Sequence, residues 1–157
     1  MALSTSALAD LREFLCLGVS LTVVTRDERL APEITRVAGA RLGEDGLLRF
    51  ALPLPEARRT IWNLEASPMV ALSVVLPTTY RNLQVKGNDA HAIDWPGHET
   101  IARAHGDAFA EQVVAVGISR EFADSFFSHS RYATFAFTPQ SIYDQTPGPT
   151  SGLPLTE

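Results

Sequence analysis

Two adjacent guanidinium groups, Arg58 and Arg59, open a helical stretch together with Thr60. Further along, Tyr80, Asn82, Gln84 and Lys86 alternate with Arg81, Leu83 and Val85. Both sets lie in the segment from Pro53 to Gly87, PLPEARRTIWNLEASPMVALSVVLPTTYRNLQVKG. The start of a helix carries unpaired backbone N–H groups and the positive end of the helix dipole, so it already attracts an anion. Two guanidiniums add forked donors that match phosphate oxygens. They are not placed there for helix stability, because the dipole opposes them. The plainer explanation is a solvated helix face that pairs with Glu56 or Glu65. The alternating run reads as a strand, which puts Tyr80, Asn82, Gln84 and Lys86 on one side. Side-chain amides both donate and accept hydrogen bonds, so this face can read the edge of a planar heteroaromatic ring. Its plainer explanation is the solvent side of an antiparallel strand. Lys86 is the only lysine in the chain. Together the two groups suit a phosphate that carries a flat ring.

Other combinations lead less far. His98 and His105 are two helical turns apart and share a face, but no third ligand stands at a recognisable metal spacing. Ser128, His129 and Ser130 are neighbours only along the chain, whereas nucleophile–base pairs are spatial. The LGEDG stretch lacks the glycine spacing of a nucleotide-phosphate loop.

These residues need elements to hold them. Residues 4–16 read as a helix, with Ser4 or Thr5 as cap and Gly18 as stop. Val19–Thr25 is β-branched and apolar, a strand, followed by a charged turn. Leu30–Leu42 reads as one irregular strand kinked at Pro32. A Gly43–Gly46 hairpin leads to a strand at Leu47–Leu52. The Arg58–Arg59 helix runs from about Pro55 to Glu65, and Trp62 within it is expected to pack. Met69–Leu76 is nearly all apolar, the pattern of a strand buried on both faces. Thr79–Ala92 and Ala133–Tyr143 complete six strands. Helices are expected near His98–Val116 and Ser119–Phe127. The tail DQTPGPTSGLPLTE reads as an ordered loop or arm. Six short strands with interspersed helices suggest an α+β protein built on a small barrel.

The chain of 157 residues has a net charge of −5 and a sequence pI near 5.3, which argues against a general nucleic-acid or anionic-membrane binder. It shows neither a cleavable leader pattern nor an apolar run long enough to span a bilayer, so a cytoplasmic protein is expected. The single cysteine, Cys16, falls in an apolar helical pattern and is expected to be a buried thiol.

In order, the strand, RVAGAR, the EDG hairpin, the ARRTIWNLEASP helix, the apolar strand and LPTTYRNLQVKG resemble the pyridoxamine 5′-phosphate oxidase-like family of FMN-binding split barrels. The tail IYDQTPGP is similar to the ending of one subset of that family. The resemblance implies a mainly β, α+β fold, a Greek-key split barrel with flanking helices. It implies a single domain over residues 1–157, with 144–157 as an ordered tail or dimer arm. It further implies FMN as cofactor, a homodimer with flavin sites at its interface, and oxidoreductase chemistry on a small molecule. On this resemblance the arginine-led strand, Arg36, Val37, Ala38 and Arg41, contacts the flavin and its phosphate. Arg58 and Arg59, with Thr60 adjacent, grip the phosphate. Asn82 touches the ring, Gln84 follows on the same face, and Tyr80 and Lys86 complete the set. No side chain is implied as acid or base. The vitamin B6 oxidases carry basic residues and a histidine near their C-terminus for the substrate phosphate. No Arg, Lys or His follows Arg131 here, so pyridoxine phosphate is not the expected substrate. Two alternatives stay open. One is a flavin- or haem-binding protein without turnover, with His91 or His129 as the axial candidates for haem. The other is a deazaflavin held by the same phosphate grip.

Overall fold

A computed structural model of the chain describes residues 3–129 and 131–155. Helix α1, Thr5–Phe14, begins where Ser4 Oγ accepts a hydrogen bond from the Ala7 amide at 3.1 Å. Ser4→Ala removes that cap and is expected to cost about 1 kcal/mol, read as a lower denaturant midpoint with an unchanged slope. The helix buries Leu11 and Phe14, and the inward period ends at Leu15. Cys16 therefore lies beyond it with its thiol exposed, which corrects the expectation of a buried one.

Nine strands lie among the described residues, where six were expected. Five form an antiparallel sheet in the order β2-β1-β5-β6-β9: β1 (Ser20–Arg26), β2 (Pro32–Arg36), β5 (Val70–Val75), β6 (Asn82–Gly87) and β9 (Ser141–Asp144). Four form a second sheet in the order β3-β4-β8-β7: β3 (Gly39–Leu42), β4 (Leu48–Pro53), β7 (His91–Ala92) and β8 (Tyr132–Phe137). The surplus has one cause. Each of the three longest expected strands breaks in its middle, at 37–38, 88–90 and 138–140, and continues in the other sheet. Alternation fails only briefly at these crossings, with 37–40 and 135–137 buried in a row and 88–89 exposed in a row, and so short a lapse reads as a kink within one strand.

The sheets face each other across a core that includes Leu21, Val23, Leu48, Phe50, Leu72, Val85 and Phe137. Phe50 packs 5.9 Å from Phe135 and 6.0 Å from Phe137, centroid to centroid. The sheets approach so closely at Gly87 that a Cβ there would lie 2.4 Å from the Phe137 ring. Helix α2, Arg58–Ala66, packs on β1 and β2 through a polar seam. In that seam Thr60 and Thr35 share a hydroxyl hydrogen bond of 2.5 Å, and Asn63 donates to Thr25 Oγ1 at 3.0 Å. Pro55, expected at the first helical position, lies in the turn before it. Helices α3 (His98–Ala115) and α4 (Arg120–Ser125) bury Phe109, Val113 and Ala123 between them, and α3 lies against β3.

The apolar strand expected to be buried on both faces is buried on one. β5 turns Val70, Leu72 and Val74 inward, while Ala71, Ser73 and Val75 stand half-buried on its outer face. The described part of the tail folds back along β9. Asp144 donates its amide to the Leu153 carbonyl at 2.9 Å, and Leu155 donates to Ile142 at 2.8 Å. The last two residues of the expected tail lie outside the described residues.

Candidate functional site

The α2 N-terminus is capped by Ala57, which offers no side-chain acceptor. The amides of Arg59 and Thr60 have no backbone partner among the described residues. Arg58 and Arg59 are both exposed there and line a hollow of about 710 Å³, bounded by Trp62 and Asn63 and by Asp27 and Arg29 of the β1–β2 turn. Arg59 makes two loose ion pairs, 3.7 Å to Asp27 and 3.6 Å to Glu33, and among the described residues no carboxylate pairs with Arg58. Solvent-screened pairs of this length hold little energy, so a phosphate can displace them. Trp62 is 72% exposed on the lip of the hollow, which corrects the expectation that it packs. It stands four residues after Arg58 and so shares its helix face, a signal present in the sequence. Thr60 is fully buried, with its hydroxyl bonded to Thr35, so neither its side chain nor its amide is open to a ligand.

The second candidate group lies on the outer face of the five-stranded sheet. The strand register sets Arg36, Thr22, Ser73, Gln84 and Tyr143 in one row across it. Ile34, Val24, Ala71, Lys86 and Ser141 form the next row, and Ser20, Val75 and Asn82 a shorter one. Small side chains fill the middle, and Asn82, Gln84 and Lys86 stand along β6 as the alternation predicts. Lys86 Nζ sits 4.7 Å from the centre of the Tyr143 ring. Tyr80 is not part of this face. It occupies the β5–β6 turn at φ 60°, 69% exposed, and the strand begins only at Asn82. Arg81 faces away, paired with Asp10 and stacked 4.4 Å over the Phe14 ring.

The strand 36–41 divides. Arg36 ends β2 on the outer face, half-buried, with its guanidinium 4.1 Å over Phe126 and 5.7 Å over Phe109. Burial lowers its pKa, and it stays a cation at neutral pH. Val37 and Ala38 are buried at the crossing and give their amides to the Leu21 and Ala51 carbonyls, at 3.0 and 2.9 Å. Arg41 is exposed on β3 and lines a separate hollow of about 230 Å³ with Cys16 and His105. The structure thus groups Arg58 with Arg59, and Asn82 and Gln84 with Arg36 and Lys86. It sets the Tyr80 and Arg41 side chains, the Thr60 hydroxyl and the side chains of Val37 and Ala38 elsewhere.

Among the histidines, His105 is only 7% exposed on α3, and its Nε2 has no hydrogen-bond partner. Burial pushes its pKa down to about 4, against a raising hydrogen bond to the Val19 backbone and with added repulsion from Arg36. His91 is exposed on β7, 2.8 Å from the Asp89 carbonyl oxygen. His129 lies 3.6 Å from Glu56 and borders a third hollow, of about 470 Å³, with Arg103 and Tyr132. Its neighbour Ser130 lies outside the described residues. Among the described residues no three His, Cys, Asp or Glu side chains gather as a metal site, and no helix is long and apolar enough to cross a membrane.

No protein-family model matches the chain, and no curated protein matches it. Solved structures do. A Clostridium acetobutylicum protein related to general stress protein 26 of B. subtilis, of the pyridoxinephosphate oxidase family, matches at 15% identity with a TM-score of 0.56, over 92% of this chain and 92% of its own. An F420 reductase matches at 18% identity and TM-score 0.54, over 83% of this chain and 94% of its own. HupZ from Group A Streptococcus matches at 14% and 0.54, over 92% and 98%. Identities this low speak for the fold alone. The chain has the α+β, mainly antiparallel split-barrel fold with flanking helices that its sequence led us to expect.

Proposed function

We propose that this chain is a homodimeric flavoprotein that holds FMN where two split barrels meet and serves as an oxidoreductase for a small molecule. The observation that carries the reading is the outer face of the five-stranded sheet. Its apolar and small residues, Val24, Ala71 and Val75 among them, are half-buried, and among the described residues no helix packs closely on β5 or β6. A strand whose outward residues are as apolar as these is built to be covered, and a second copy supplies a self-complementary cover. The polar groups on this face, Asn82, Gln84 and Lys86, would meet the ring edge.

The α2 start adjoins the β2 edge of the same sheet, since Arg59 reaches Glu33 of that strand. From β2 to β6 is three strand spacings, about 14 Å. A ligand that engages both groups must therefore be long as well as flat, with its anion at one end. The unpartnered Arg59 amide and two exposed guanidiniums fit a phosphate at that end. When bound, the flavin supplies the electron chemistry, while the chain orients it and sets the polarity around it. No side chain is assigned as acid or base.

The test is to add excess FMN to the purified protein, desalt it and record the visible spectrum alongside sedimentation. The expected result is about one flavin retained per chain on a dimer. Colourless protein removes FMN, and the same desalting test with haem and with a deazaflavin then separates the remaining readings. Haem finds little support here, because neither His91 nor His129 lies on the outer sheet face. A monomer that keeps its flavin overturns the interface site.

A further inference from the structure

We propose that the loop after β9, residues 145–152, is a positioning device for the ring-facing amide of Asn82; the inference rests on the flavin reading above. Asn82 is the first residue of β6, where a strand would ordinarily fray, and the β6–β9 ladder stops one residue short of it, at Leu83 opposite Asp144. The loop takes over at that point. The Gln145 amide donates to the Asn82 carbonyl at 2.7 Å, and the Asn82 amide donates to Thr146 Oγ1 at 3.1 Å. Both backbone groups of Asn82 on this side are therefore held by two consecutive residues of the tail. On the other side Asn82 stands opposite Val75 of β5.

Asp144 gives the loop its shape. Its carboxylate accepts from the Thr146 amide at 2.8 Å and from the Thr150 hydroxyl at 2.9 Å. Its carbonyl accepts from the Gly152 amide at 2.6 Å, where Gly152 adopts the left-handed φ of 87° that a side chain would resist. Hydrogen bonds from Thr146 and Thr150 hold the Asp144 carboxyl below the usual range, so it remains an ionised acceptor at neutral pH. The loop is thus closed on a charge at one end and delivers the Thr146 hydroxyl to Asn82 at the other.

The Asn82 side chain is oriented as well. Ser73 Oγ donates to Asn82 Oδ1 over a long 3.4 Å, which leaves the NH2 group as the part free to face outward. An NH2 donor at a ring edge binds acceptor atoms, and it binds them more tightly when they gain negative charge. A β6 start that wandered would spread this donor over several positions. Fixing it is the role we assign to Gln145, Thr146 and Asp144, which act through Asn82 and not on the ligand.

Thr146→Val keeps the side-chain shape and removes the acceptor, and Thr146→Ser keeps the acceptor. In protein without added flavin, the Asn82 amide of Thr146→Val should exchange with solvent about tenfold faster than in the wild type, the value of roughly one hydrogen bond. In Thr146→Ser it should exchange as in the wild type. With FMN added, Thr146→Val should raise Kd about five- to tenfold and shift the visible bands of the bound flavin, and Thr146→Ser should restore both. Unchanged exchange at Asn82 overturns the clamp itself. Faster exchange with an unchanged flavin spectrum and Kd makes the loop structural only and overturns the positioning role. Wild-type protein that binds no FMN sinks the parent reading and this one with it, whatever the exchange rates show.

Discussion

Removing both guanidiniums at the α2 start, Arg58→Ala with Arg59→Ala, is expected to weaken FMN binding by about 2–4 kcal/mol, roughly 30- to 1,000-fold in Kd. Each charge-assisted hydrogen bond to phosphate contributes about 1.5–3 kcal/mol, and two neighbours on one anion do not add fully. The fold should scarcely notice. Both side chains are exposed, and the ion pairs of Arg59 with Asp27 and Glu33 are long and solvated. The helix dipole disfavours cations at this end, so alanine there removes a small strain as well as a weak contact. The measurement is a flavin-fluorescence titration at two salt concentrations beside a thermal melt. Binding that loses its salt dependence along with its strength, at a nearly constant Tm, is the signature of a lost phosphate contact. A Kd within a factor of two of the wild type would remove the phosphate from this helix.

Acid should destabilise the protein through His105. Its folded pKa lies at about 4, below an ordinary value of 6.5, because burial penalises the imidazolium and Arg36 repels it. Above pH 6.5 the ring is neutral in both folded and unfolded chains, and it adds no pH dependence. Between about 6.5 and 4 the unfolded chain takes up a proton that the folded one refuses, so stability falls as pH falls. Below about 4 both states are charged, and this contribution levels off. The shift corresponds to about 3 kcal/mol, a large part of the stability of a domain this size. Chemical denaturation at several pH values should show this slope in the wild type and lose it in His105→Gln, which is similar in size and does not titrate. An unchanged slope in the variant would assign the acid sensitivity to other groups.

Local chemistry in the sequence carried much of the molecule. Ser4 and Ser119 cap the helices they were read to cap or to open. The guanidinium pair stands at a helix start, and Asn82, Gln84 and Lys86 share a sheet face. What the sequence hid depends on contacts between distant segments. The crossings at 37–38, 88–90 and 138–140 interrupt side-chain alternation only briefly, so six strands looked continuous where nine exist among the described residues. Thr60 looked like a phosphate ligand because of its place in the helix, yet Thr35, far off in sequence, claims its hydroxyl. Arg41 looked like a companion of Arg36, but it follows the first crossing and so belongs to the other sheet. The Asn82 clamp was unreadable for the same reason: its partners come 63 and 64 residues later in the chain.

Those three crossings also determine how the molecule can come apart. A sandwich of two independent sheets has a natural seam, along which one layer can loosen while the other stays intact. Here β2 runs into β3, β6 into β7 and β8 into β9, so three continuous stretches of chain stitch the layers together. Neither layer can open without dragging a strand out of its neighbour, and the barrel is bound to melt as one cooperative unit. For a protein that would hold a ligand against the outer face of one layer, this means the binding surface is as rigid as the whole core behind it.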